Sequence, residues 1–240
     1  MSAPLTIDRD GATWTFTLAR PEKRNALSAE LVEALLASVE EAHRSDATLL
    51  VFRGEGKNFS AGFDFADFAT QSEGDLLHRF VRIETLLQTV AASPCLTLAL
   101  AHGRNFGAGV DLVAACRQRI ATPDASFRMP GLKFGLVLGT RRLADIVGPA
   151  RAAAILQEAR AFDASEAQAI GFIDALVDTP QWLAAIEAAR KTSCALEPAT
   201  RATLYDVLGA DHGDADLAAL VRSAARAGLK ARIESYLAAS

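Results

Sequence analysis

The densest run of chemically useful residues in this 240-residue sequence is Ala101-His-Gly-Arg-Asn-Phe-Gly-Ala-Gly-Val-Asp111. An apolar run, residues 96–100, precedes it, and a helix-compatible segment, residues 112–116, follows, so the stretch reads as strand, glycine-rich corner and helix start. Such a corner aims unpaired backbone N–H groups outward, and the helix dipole adds partial positive charge where they point. An anion can bind there. The same glycines also serve tight strand-to-helix packing, and this stretch alone does not choose between the two roles. Asp111 and His102 are its proton-moving side chains. Each also has a plainer reading: a carboxylate favoured by the helix dipole, and a packed, hydrogen-bonded histidine at a strand end.

Several elements must hold that corner in place. Residues 5–9 and 13–18 are short β-prone runs around Asp10-Gly11, which predicts a hairpin with Trp14, Phe16 and Leu18 on one face. Ser28 is the predicted N-cap of a helix carrying Val32, Leu35, Leu36 and Val39 at helical spacing. Residues 49–52 are continuously apolar and predict a buried strand ended by Gly54 and Gly56, with a loop containing Ala61-Gly62 after it. Residues 74–90 place Leu76, Leu77, Phe80, Ile83, Leu86 and Leu87 on one helical stripe, closed by Pro94. Further on, residues 119–121 predict a short strand, 144–157 a helix, 165–170 a helix capped by Ser165, and 173–177 an extended run. Residues 182–194 and the alanine-rich tail after Pro198 predict helices. With no repeat, low-complexity tract or long linker, the expected boundary is a change of architecture near Cys194.

Composition narrows the function classes. Half the residues are hydrophobic and 22% are charged, which fits a globular chain long enough for one sizeable core or two modest ones, with one main domain as the default. A formal net charge of -4 and a pI near 5.6 leave no basic excess to neutralise phosphates, so nucleic acid and anionic membrane are not expected partners. Cys95, Cys116 and Cys194 are odd in number and unpaired in spacing, and read as reduced thiols. Neither a secretory nor a mitochondrial leader pattern is visible, and no apolar run approaches the roughly 18 residues of a membrane helix; the expectation is a cytoplasmic protein.

Three segments carry a family likeness: Arg20-Pro-Glu-Lys-Arg-Asn-Ala-Leu-Ser28, Phe59-Ser-Ala-Gly-Phe-Asp-Phe65 and Gly107-Ala-Gly-Val-Asp111. Together with Phe127-Arg-Met-Pro-Gly131, Gly135-Leu-Val-Leu-Gly139 and Arg142-Leu143, they resemble the crotonase, or enoyl-CoA hydratase/isomerase, superfamily in order and spacing across residues 5–177. The resemblance implies an α/β fold, a crotonase-like spiral of ββα units, with a helical C-terminal region that builds a homotrimer or a dimer of trimers. Residues 1–195 would be the spiral core and 196–240 the trimerisation region. Family chemistry passes through a thioester enolate whose oxygen is held by two backbone N–H groups. Those donors would be Phe63 and Ala108, and preorganised donors of this kind are worth roughly 10² to 10³ in rate each. The coenzyme A of an acyl-CoA substrate would meet Lys23, and with it Arg24, through its phosphates. Its adenine and pantetheine path would run past Ala26, Ala61, Asp64 and Phe65, while Phe106, Gly107, Pro130 and Gly131 would also contact substrate. Asp64 can equally be a loop-ordering side chain. No metal and no cofactor is implied, coenzyme A being part of the substrate.

The sequence also departs from the family pattern. Hydratases of the family use two glutamates; here the first position is Asp111 and the second is Gly131. One carboxylate is lost outright, and the other is retracted by one C–C bond, ~1.5 Å. Arg128 replaces a usual glycine and could neutralise a substrate carboxylate or face the surface. The loop at residues 138–142 is shorter than in typical relatives, and Lys230 and Tyr236 are candidates for covering coenzyme A. The expected function is therefore an enzyme acting on an acyl-CoA thioester through an oxyanion-stabilised enolate, by isomerase or other non-hydratase chemistry with Asp111 as its acid/base. A β-diketone hydrolase or acyl-CoA decarboxylase is the alternative chemistry, and a non-catalytic acyl-CoA-binding trimer the alternative class.

Overall fold

A hairpin opens the fold in this computed structural model, which describes residues 3–209 and 212–239. Strands β1 (Leu5–Asp10) and β2 (Thr13–Leu18) pair antiparallel with Leu5 opposite Leu18, turning at Gly11 with φ 57°. Helix α1 (Ala29–His43) starts at Ser28, whose Oγ accepts from the Leu31 N–H at 3.2 Å. Strand β3 (Leu49–Gly54) runs parallel to β2. Helix α2 (Glu73–Ala91) begins with a capping box in which Ser72 Oγ accepts from Asp75 N and the Asp75 carboxylate accepts from Ser72 N. Strand β4 (Leu96–Ala101) is buried along its whole length and lies parallel to β3.

The predicted corner contains an extra strand, β5 (Arg104–Phe106), and α3 (Ala108–Ala115) begins directly after Gly107, earlier than the apolar pattern indicated. Then come β6 (Gln118–Ala121), β7 (Ser126–Arg128), α4 (Thr140–Val147), α5 (Pro149–Glu158), β8 (Ala161–Asp163), α6 (Ala164–Ala169) and β9 (Ala175–Leu176). The remainder is helical: α7 (Trp182–Ser193), α8 (Pro198–Leu208), α9 (Gly213–Ala224) and α10 (Leu229–Ala238). A six-stranded sheet runs β1-β2-β3-β4-β6-β9, and a three-stranded sheet runs β5-β7-β8.

Three expectations are corrected. Residues 144–157 are not one helix, because Gly148 at φ 85° breaks the chain and Pro149 starts α5. The cap of α6 is Asp163, which accepts from Glu166 N at 2.8 Å, so Ser165 lies inside the helix. Only Ala175–Leu176 of the extended run 173–177 is a strand.

The continuous apolar character of β3 and β4 follows from burial on both faces. Leu50, Phe52, Ala99 and Ala101 face the main core, while Leu49, Val51, Leu96, Leu98 and Leu100 face Trp182 and Ala189 of α7. Leu220 and Ala224 of α9 and Leu229 and Ile233 of α10 join that main core, so the C-terminal helices are packed onto the strands' side of the molecule that holds the corner. All three cysteines are free thiols, Cys95 and Cys116 buried and Cys194 exposed. Among the described residues no helix is long and apolar enough to cross a membrane.

Candidate active site

Two loops meet at the corner. The segment after β3 is pinned from one side by Ala61 N donating to Arg24 O at 2.8 Å and by Leu27 N donating to Gly62 O at 2.7 Å. From the other side Phe106 N donates to Ser60 O at 3.1 Å. Gly62 has φ 78°, and a Cβ there would overlap the Phe106 carbonyl oxygen and lie 3.1 Å from Ala108 N. Only glycine allows this approach. Gly107, at φ 47°, donates to Arg128 O at 2.8 Å and turns the chain into α3. As a result Phe63 and Ala108, from separate loops, both line one cavity, and neither backbone N–H donates to another described residue. Two fixed, unpaired donors facing a common space are what an oxyanion needs.

The cavity encloses about 250 Å³ and is mostly apolar. Of the residues expected to meet substrate, Ala61, Phe63, Phe65, Phe106, Gly107, Ala108, Asp111, Pro130 and Gly131 line it. Lys23, Ala26 and Asp64 do not. Lys23 is exposed, and it is its neighbour Arg24 that reaches the wall. The Asp64 carboxylate pairs with Arg20 from the loop after β2 at 2.8 Å and accepts from Ala66 N in its own loop at 2.9 Å, which orders the segment. The aromatic and aliphatic wall was silent in the sequence: Phe80 stacks on Phe63 with centroids 4.4 Å apart, and Met129, Phe134, Leu136, Leu138 and Leu156 complete it.

Asp111 sits in the first turn of α3 and is only 2% exposed. Its carboxyl packs so closely on Gly139 that any side chain there would overlap it, and its Oδ1 has no hydrogen-bond partner among the described residues. Burial pushes the Asp111 carboxyl well above the usual carboxylate range; Arg142 opposes this and Glu84 adds to it. At Gly131 a Cβ would lie 3.1 Å from Leu136 O, so the second carboxylate position is both empty and crowded.

Residues 9–219 match the family model described as enoyl-CoA hydratase/isomerase. The chain belongs to that family. It is 35% identical over 201 residues to the probable enoyl-CoA hydratase of Mycobacterium tuberculosis, covering 81% of this chain and 80% of the relative. A Bordetella parapertussis chain described as an enoyl-CoA hydratase/isomerase is 68% identical, with a TM-score of 0.98 and 99% of both chains covered. An enoyl-CoA hydratase from Bacillus halodurans shares the fold at 22% identity, with a TM-score of 0.86 over 97% of this chain and 99% of that one. The α/β crotonase-like spiral with a helical C-terminal region is therefore the fold of this hydratase/isomerase family member.

Of four further residues, His102, Arg128 and Lys230 stand off the cavity wall and Tyr236 lines it. His102 Nε2 lies 3.0 Å from Gly56 O and its ring meets Trp182 edge-on at 5.5 Å; burial pushes it down, and it is off the cavity wall. Arg128 Nε donates to Ala159 O at 2.8 Å and also stays off the wall. Lys230 Nζ donates to Ala69 O at 2.7 Å and Gln71 O at 3.1 Å, tying α10 to the segment just before α2. Tyr236 lines the cavity, its ring 5.3 Å from that of Phe134.

Proposed function

We propose that the protein turns over an acyl-CoA thioester through its enolate, by isomerase or other non-hydratase chemistry, with Asp111 as the single proton-transferring group. One observation carries this reading: Phe63 and Ala108, whose backbone N–H groups donate to no described residue, and the buried Asp111 all line one apolar cavity. The thioester oxygen sits between the Phe63 and Ala108 N–H groups. As the α-proton leaves, negative charge grows on that oxygen, and donors already in place stabilise it without reorganising. Desolvation makes ionised Asp111 a stronger base than an exposed carboxylate, so it can take the α-proton and return it at a second carbon. Adding water requires a second carboxyl to hold and activate it, and Gly131 supplies none. Coenzyme A would lie toward Lys23 and Arg24, its phosphates meeting their charges. Self-association would use residues 196–240, where Leu196, Leu204, Val207 and Leu208 are exposed.

The raised Asp111 carboxyl also suits a second chemistry, decarboxylation, in which loss of CO₂ creates the enolate and the protonated form of Asp111 then protonates its α-carbon. The test is Asp111→Asn against a panel of acyl-CoA esters. Turnover should fall on the order of 10² to 10⁴-fold with ester binding retained. Unchanged turnover in the variant, or rapid hydration of crotonyl-CoA by the wild type, would contradict the reading. Binding without turnover on every ester would assign the chain to the non-catalytic acyl-CoA binders instead.

A further inference from the structure

Behind the cavity, charged side chains from three helices meet, and only one of them has been given a role. Glu84 belongs to the buried stripe of α2, beside Phe80, Ile83 and Leu87, and its side chain is 1% exposed. A leucine would satisfy that packing. Instead Glu84 Oε1 pairs with Arg142 Nη2 from α4 at 3.1 Å and accepts from Gln88 Nε2 at 3.0 Å. Gln88 Nε2 in turn donates to Gly213 O at 2.8 Å, which anchors the pair to α9. Four polar atoms of this region are buried without a partner among the described residues: Glu84 Oε2, Arg142 Nη1, Asp111 Oδ1 and Thr140 Oγ1. Orphaned polar atoms cost stability, so their concentration beside one cavity needs a reason other than folding.

We infer that Glu84 is a positioning residue for proton transfer: by engaging the Arg142 guanidinium, it denies Asp111 the ion pair that would fix it as a permanent carboxylate. The inference rests on the reading of Asp111 as the acid/base group. Its physical basis is charge counting in a buried space. Two carboxyls and one guanidinium carry a net negative charge if all ionise, and burial opposes that. Glu84 holds the cation, so Asp111 is the carboxyl that binds a proton more readily than an exposed one, able to take it from substrate when ionised and to return it. The charged groups that reach Asp111 are Arg142 from α4 and Glu84 from α2, with opposite effects.

The full-length protein labelled with ¹³C-aspartate tests this. The Asp111 carboxyl resonance is assigned by its loss in Asp111→Asn, then titrated in the wild type, Glu84→Gln, Glu84→Asp and Arg142→Gln. In Glu84→Gln the released guanidinium turns to Asp111, so its titration should move to lower pH, the acid limb of the pH–rate profile should follow, and limiting turnover should drop roughly tenfold as the base weakens. Glu84→Asp should restore much of the wild-type profile. Arg142→Gln should shift the titration the other way, to higher pH. An unchanged Asp111 titration in a folded Glu84→Gln protein, or shifts of the same sign in the two opposite variants, overturns the inference. Full turnover in Asp111→Asn overturns the proposed function instead, and the titration still reads the Glu84 effect by itself.

Discussion

A buried carboxyl whose Oδ1 finds no hydrogen-bond partner among the described residues makes folding depend on its proton. The native state raises the Asp111 pKa above its unfolded value, chiefly by desolvation, so the folded protein holds this proton more tightly than the unfolded chain does. The sign follows. Stability from this group is fully present below the ordinary carboxylate range, about pH 4, and is lost as pH rises through the raised native value. Asp111→Asn keeps the shape and cannot ionise. The variant is expected to melt higher than the wild type at neutral and alkaline pH, with the difference shrinking as pH falls toward that range; thermal melts across pH measure it. A variant less stable at neutral pH, with the deficit vanishing as pH falls, would mean that Asp111 is ionised and paired in the native state. A group that acts better than it folds is what a catalytic site commonly contains.

The proposed oxyanion donors, the Phe63 and Ala108 N–H groups, depend on a close approach between two backbone segments rather than on any side chain. In Gly62→Ala the new methyl would overlap the Phe106 carbonyl, at a residue already at φ 78°, forcing the 60–63 loop away from α3. Activity should fall by ~10²-fold or more, because displacing one preorganised donor costs on that order, and stability should fall by about 1–3 kcal/mol. Steady-state kinetics and chemical denaturation give the two numbers. Ser28→Ala is the matched control: losing the cap of α1 should cost about 1 kcal/mol and leave turnover unchanged. These two positions also mark how far the sequence was legible. The hairpin, α1 with its cap, β3, α2 and the glycine corner follow from local rules of turn chemistry, capping and periodicity. Strands β5, β7 and β8 have three residues each and exist only through pairing with one another, so no local pattern announces them. The break between α4 and α5 was readable from Gly148-Pro149, where proline marks a helix start. Backbone donors leave no side-chain signature, and Phe63 and Ala108 could be located only through the family motifs. Phe80, Phe134 and Leu136 resemble ordinary core residues in sequence because they are apolar, and their role as cavity wall emerges only from tertiary packing. Glu84 did leave a signal, a lone acid within an apolar helical stripe.

The cavity is finished by the C-terminal helices, which ties substrate binding to the packing of distant parts of the chain. The segment 131–138 supplies Leu132, Phe134, Leu136 and Leu138 to the wall, and it is held from outside. Val137 N donates to Ser223 Oγ of α9 at 3.0 Å. Arg232 of α10 donates through Nε to Phe134 O at 3.0 Å and through Nη1 and Nη2 to the carbonyls of Arg226, Ala227 and Ser223. One guanidinium thus staples the cavity wall to the turn between α9 and α10. Its charge-assisted bonds are individually stronger than neutral ones, although two of them are exposed to water and contribute less. Arg232→Ala leaves Asp111, Phe63 and Ala108 untouched while freeing the wall. Stability should fall by about 2–3 kcal/mol. In kinetics KM for the acyl-CoA ester should rise severalfold while kcat changes less, because the groups proposed to act on the transition state are still in place. A fall in kcat with KM unchanged would mean instead that α10 positions the reacting groups themselves, and that the wall around Phe134 holds its shape without the staple.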